Sequence, residues 1–222
     1  MGPSASADVT YGERPLLRGM LHQGAFVVAL GVGAMLIVAA DGGRQRVAAA
    51  VFAVSVVTML GASALYHRVT WSPRMRPWMR RIDHAGIYLL IAGTYTPVGL
   101  LSLHGTLQRV TLAIIWAGAL IAIALKFAWV TAPKWLAAVT GIALGWAGVA
   151  ALPQVADKEG LTAVILLAAG GIAYTAGAIV YALRRPDPVP HIFGYHELFH
   201  ALTIVAVSCQ YVAIAFYVVK VG

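Results

Sequence analysis

The segment Tyr195-His196-Glu197-Leu198-Phe199-His200 sets two histidines four residues apart inside a run that otherwise reads as membrane helix. On an α-helix, residues i and i+4 share a face about 6 Å apart along the axis, so both imidazoles can reach one metal ion. Three other residues could complete such a site. His67 closes an earlier apolar run, Ser63 lies one turn before it on the same face, and Asp83 opens the next apolar run. Three histidines leave zinc one open position for water, the arrangement of a catalytic site. Zinc lowers the pKa of that water to about 7. A carboxylate such as Asp83 can take the proton or orient a ligand, and a hydroxyl such as Ser63 can bond the water or a reacting oxygen. Imidazole also accepts iron or nickel, so the ligand type favours Zn2+ over other metals without excluding them.

Membrane-crossing helices have to position these residues. The chain has 222 residues, 60% hydrophobic and 11% charged, against about 45–50% apolar and ~25% charged in soluble proteins. A crossing helix needs roughly 20 apolar residues. The apolar runs predict spans at 21–40, 47–66, 82–103, 110–130, 135–153, 161–183 and 196–219. The expected fold is therefore all-α: a polytopic seven-transmembrane-helix bundle over 21–222 behind a polar segment, 1–20, with no second domain. Asp8 and Glu13 argue against a secretory leader. Pro97 is expected to kink the third span, with Thr94 and Thr96 satisfying freed backbone groups. The spacing of Gly141 with Gly145, and the small residues around Gly170 and Gly171, predict close helix contacts. Cys209 is the sole cysteine, so no intrachain disulfide forms.

Loop charge sets the orientation. The N-terminus and breaks two, four and six carry Arg14, Arg18, Arg68, Arg74, Arg76, Arg80, Arg81, Lys126, Lys134, Arg184 and Arg185. The opposite side carries Arg44, Arg46, Arg109, Lys158 and Lys220. The basic excess stays inside, which predicts a cytoplasmic N-terminus, an outside C-terminus and an inner (plasma) membrane location. The net charge of +8 reads as anchoring to anionic lipid, not as nucleic-acid binding. With this topology His67, Asp83, His196 and His200 all fall at similar depth on the cytoplasmic side, although the topology was derived without them. His22, His104 and His191 sit at span ends or in a loop and suggest no role. His84 points about 100° away from Asp83 on a helix.

The motifs Ser63-Ala64-Leu65-Tyr66-His67, Asp83-His84-Ala85-Gly86-Ile87-Tyr88, Gly93-Thr94-Tyr95-Thr96-Pro97 and His196-Glu197-Leu198-Phe199-His200 resemble those of the bacterial hemolysin III proteins. These belong to the progestin and adiponectin receptor (PAQR) family, and the wider group includes alkaline ceramidases. The resemblance implies a seven-helix bundle with a cytoplasm-facing zinc site. It implies that His67, His196 and His200 bind Zn2+ and that Asp83 and Ser63 hold the zinc-bound water. It also implies hydrolysis of a membrane lipid amide or ester, ceramide-like in kind. Receptor-type members carry acidic residues shortly before the serine; residues 56–62 here contain none, so a hormone-receptor role does not carry over.

Other readings compete. His196-Glu197-Leu198-Phe199-His200 also fits the HExxH protease pattern, in which the glutamate is general base. The 22 residues after His200 contain no Asp, Glu or His, so a third ligand must come from upstream, which suits His67. Glu197 is otherwise a stabilising first-turn acid or a partner of the ligands. A membrane-homeostasis sensor or regulator with a structural zinc, and a pore-forming cytolysin, are the non-enzymatic alternatives. The sequence names no oligomeric state and no specific lipid.

Overall fold

A computed structural model of the protein describes residues 15–221. Of the polar segment expected over 1–20, residues 1–14, with Asp8, Glu13 and Arg14, lie outside the described residues. Among the described residues, seven helices are long and apolar enough to cross a membrane: α1 Met20–Ala39, α2 Gly43–Arg68, α3 Arg76–Ser102, α4 Gly105–Ala128, α5 Lys134–Glu159, α6 Leu161–Leu183 and α7 Tyr195–Val219. The chain is a seven-span membrane bundle. Helices are the natural solution, because hydrocarbon offers no partner to an unpaired backbone group and a helix satisfies its own.

The expected spans are all present, but α2, α3 and α5 run longer than their apolar cores. Arg76–Arg81, expected in a basic loop, already form the first turns of α3, with Pro77 in the first turn, where its missing N–H costs nothing. α5 continues through a 3-10 turn at Val149–Ala151 into the polar Leu152–Glu159.

Pro97 does mark a change in α3, which widens into a π-turn over Val98–Ser102. The two threonines act differently from expectation. Thr94 Oγ1 donates to Leu90 O (2.9 Å) and Thr96 Oγ1 to Ala92 O (2.7 Å). Neither reaches Gly93 O, the carbonyl that a proline at 97 deprives of its donor. Gln108 serves the segment beyond, its Nε2 donating to Gly99 O at 2.6 Å and Leu103 O at 2.8 Å.

α2 and α3 are the most enclosed helices. They approach closely because Gly86 and Gly93 face α2: a Cβ on Gly86 would lie 3.2 Å from Met59 Cα, and one on Gly93 only 1.9 Å from Ser55 Oγ. α1 and α7 pack against this pair through Leu36, Phe52, Val56, Leu60 and Ile214. α6 joins α7 where Gly170 and Gly177 are buried. Inside a bilayer such seams rest on close packing rather than on removal of water. α5 lies to one side, mainly against α6. Gly141 and Gly145, expected at a helix contact, have open space where a Cβ would go.

Candidate metal centre

The alternating direction of the helices brings the start of α1, the end of α2, and the starts of α3 and α7 to one end of the bundle. Exposed Trp78, Trp129 and Trp135 also lie at this end, where interfacial tryptophans anchor a helix. Arg81 stacks over Trp78 at 5.0 Å.

Here the sequence-predicted residues converge. The Nε2 atoms of His67 and His196 are 3.1 Å apart. One ligand nitrogen from each of His67, His196 and His200 lies within 4.8 Å of the others. Tetrahedral zinc with bonds of about 2.0–2.1 Å spaces two nitrogens by roughly 3.3 Å. The His67–His196 pair already has that separation. These three histidines are placed to hold a metal ion, and His200 Nδ1 is buried without another partner. Asp83 Oδ2 is 3.8 Å from His67 Nε2, beside the cluster rather than within it.

Two neighbours shape the cluster from α1. Gly19 precedes α1 at φ +77, a left-handed backbone that side chains disfavour, and a Cβ there would sit 2.6 Å from His67 Cβ. The glycine lets the start of α1 close over His67. One turn on, His22 is 2% exposed. Its ring stacks on that of His200, centroids 3.8 Å apart and planes inclined by 11°. Its Nδ1 shares a 2.8 Å hydrogen bond with Ser63 Oγ. Sequence alone assigns His22 no role, because a lone histidine near a span end carries no spacing. The available signal was its depth, since the charge-derived topology set it on the same side as the triad. His84 does point around α3 from Asp83, yet it still faces the cavity described below.

Glu197 takes the role of a first-turn acid. It is fully buried. Its Oε2 accepts from Gly194 N at 3.0 Å, and Oε1 accepts from Arg18 Nε. Asp187 Oδ1 accepts from Tyr195 N at 2.7 Å. Together these groups fix the start of α7, and with it the direction of His196 and His200.

A cavity of about 140 Å³ opens beside the histidines, between α3, α5, α6 and α7. Ser63, Asp83, His196 and His200 form its polar end; Ile87, Ile91, Ile142, Ala178 and Phe199 line its walls, and Gly141 and Gly145 leave room on α5. Lys126, unremarked in the sequence except as a loop charge, is also at its edge. The arrangement can bind a metal, present a carboxylate and a hydroxyl beside it, and hold an apolar chain against both.

The chain is similar to known proteins over most of its length. The family profile described as "Haemolysin-III related" matches residues 11–211. A "Hemolysin-3 homolog" of Bacillus subtilis (strain 168) is 33% identical over 172 residues, 77% of this chain and 77% of the relative. A "Hemolysin-3" of Bacillus cereus is 32% identical over 172 residues, covering 78% of this chain and 75% of that protein.

Proposed function

The chain belongs to the haemolysin III family, and from that premise we propose that it is a zinc-dependent hydrolase of a membrane lipid amide or ester. As a seven-span member of this family it is a multi-pass membrane protein, for which the bacterial inner membrane is the usual location. The loop charges favour a cytoplasmic N-terminus, so the histidine end faces the cytoplasm in this reading.

The observation that carries the proposal is that His67 meets His196, His200 and Asp83, and that the last three line the polar end of an apolar-walled cavity. Zinc held there would supply Lewis-acid polarisation of a carbonyl and activation of water. The three imidazoles would hold the ion. Asp83 receives the proton of the attacking water and passes it to the leaving group. Ser63, oriented by His22, gives its hydroxyl hydrogen bond to the carbonyl oxygen as charge builds there. The apolar walls seat the acyl chain and keep bulk water from the reacting atoms.

The test is fatty-acid release from candidate lipids by the purified, zinc-loaded protein. The expected result is turnover in wild type and none in a His67→Ala/His200→Ala variant. Equal release by both would end the proposal. A second reading has one observation in its favour: the ligands join α2 to α7, and His22 ties α1 to both. An ion there would staple three helices without chemistry. In that case a chelator lowers the melting temperature, and no lipid is turned over by the loaded protein.

A further inference from the structure

Lys126 lies in the last turn of α4. It is 5% exposed and lines the cavity. It takes part in none of the ion pairs Arg18–Glu197, His67–Asp83 and Lys220–Glu159. Among the described residues no acceptor meets its ammonium group. A buried charge normally has a partner, because desolvation outweighs what a helix C-terminus returns.

The facing helix supplies a second unpartnered group. Tyr88 and Ala92 of α3 pack against Ile115, Ala119 and Ala122 of α4. Continued by one turn, this antiparallel register sets His84 opposite Lys126. His84 Nδ1 is buried without a hydrogen bond, and the residue lines the same cavity. Apart from Asp83, which precedes it in the chain, the charged groups that act on His84 are Arg80, Lys126 and Lys134, all cations. Arg80 shares its face of α3, one turn earlier. Lys134 is already engaged, donating to Tyr195 Oη at 2.7 Å and lying over the Tyr181 ring at 4.7 Å. The carboxylates at this end face elsewhere: Asp83 stands 3.8 Å from His67 Nε2, Asp187 caps Tyr195 and Glu197 pairs with Arg18.

We propose that Lys126 and His84 form an oxyanion subsite of the cavity, which takes the phosphate or carboxylate head group of an acyl-chain lipid. Asp83 and His84 are consecutive, so the subsite lies at the depth of the metal centre and a short way around α3 from it. The lipid it fits carries its negative charge a few bonds from the acyl amide or ester, unlike a neutral ceramide. The inference rests on the proposed hydrolase only for the premise that the cavity holds a lipid.

The test measures binding, not turnover, and uses the full chain in neutral nanodiscs with His67→Ala as background, so loss of hydrolysis leaves it readable. The probes are oleoyl lysophosphatidate, oleate, mono-oleoylglycerol and glycerol 3-phosphate. Lysophosphatidate and oleate are expected to bind about ten-fold more tightly than mono-oleoylglycerol. Lys126→Met should remove that preference and leave mono-oleoylglycerol binding unchanged; Lys126→Arg should retain it. His84→Phe, which keeps the ring volume, should lower the preference about three-fold. No preference in the unsubstituted background, or the same preference in Lys126→Met, overturns the subsite. Displacement of lysophosphatidate by equimolar glycerol 3-phosphate overturns the lipid assignment in favour of free phosphate. If Lys126→Met loses mono-oleoylglycerol as well, the His84→Phe result decides: an unchanged preference there overturns the proposal.

Discussion

The imidazoles of His22 and His200 lie face to face, 3.8 Å between centroids, and the far edge of His22 holds Ser63. One α1 side chain thereby orients a metal-site histidine of α7 and a hydroxyl of α2. Groups that orient ligands are typically worth about 10–100-fold in metal affinity or activity. His22→Ala is expected to weaken zinc binding and slow lipid hydrolysis within that range. His22→Phe keeps the stack and loses the hydrogen bond, so it should retain zinc while turnover falls. Zinc content by elemental analysis, read beside turnover, separates the two effects; wild-type values for both variants would remove His22 from the site.

Arg18 and Glu197 make a second test of how α1 governs α7. Glu197 is fully buried and Arg18 is its ionic partner. Removing one member of a buried pair strands the other charge, at about 3 kcal/mol or more. Arg18→Met should lower the melting temperature markedly. Glu197→Gln in the same chain should restore part of the loss, because a neutral amide can still accept from Gly194 N. Equal melting points for wild type and Arg18→Met would show that the pair contributes nothing to the position of α7.

Gly19→Ala tests the closing of α1 over His67. The substitution adds a Cβ 2.6 Å from His67 Cβ at a positive φ, a conformation that costs about 1–2 kcal/mol for a side-chain residue. The helices should remain formed by circular dichroism while zinc stoichiometry drops. Full zinc loading in the variant would mean that the start of α1 can move without disturbing His67.

Gly141→Leu probes the cavity without touching the histidines. No atom lies within 4 Å of the position its Cβ would take, so the backbone at Gly141 accepts a side chain without a clash at Cβ. The leucine fills space that an acyl chain would take in the proposed reaction. The expected outcome is unchanged zinc content and melting temperature with turnover of long-chain lipid at least about ten-fold lower. Undiminished turnover would place the substrate elsewhere.

Much of this molecule could be read from its residues before any coordinates. Seven apolar runs announce the spans, and their alternating direction alone carries His67, Asp83, His196 and His200 to one end. Periodicity gives the depth of a residue and says little about which way its helix is turned in the bundle. His22 has the correct depth, but only the packing of α1 between α2 and α7 turns it onto His200. Gly141 and Gly145 have the spacing of a helix-contact motif. The motif needs a partner helix, and α5 stands at the edge of the bundle where those glycines face a cavity. Thr94 and Thr96 lie beside Pro97 in sequence, yet each bonds the carbonyl four residues before itself, so the one freed at Gly93 is reached by neither.

The position of α5 has a kinetic consequence. It meets α3 through two tyrosines: Tyr88 shares a 2.8 Å hydrogen bond with Thr140, and Tyr95 Oη donates to Gly145 O at 2.6 Å and accepts from Gly148 N at 3.2 Å. Polar links of this kind between membrane helices are each worth roughly 0.6 kcal/mol, about one unit of thermal energy, so thermal motion parts them readily. On the proposed reading, a lipid passing that seam would arrive sideways from its own leaflet without dissolving in water. If the proposed hydrolysis holds, the saturating variable is the mole fraction of substrate in the bilayer, and diluting the vesicles at constant composition should leave the rate per protein unchanged.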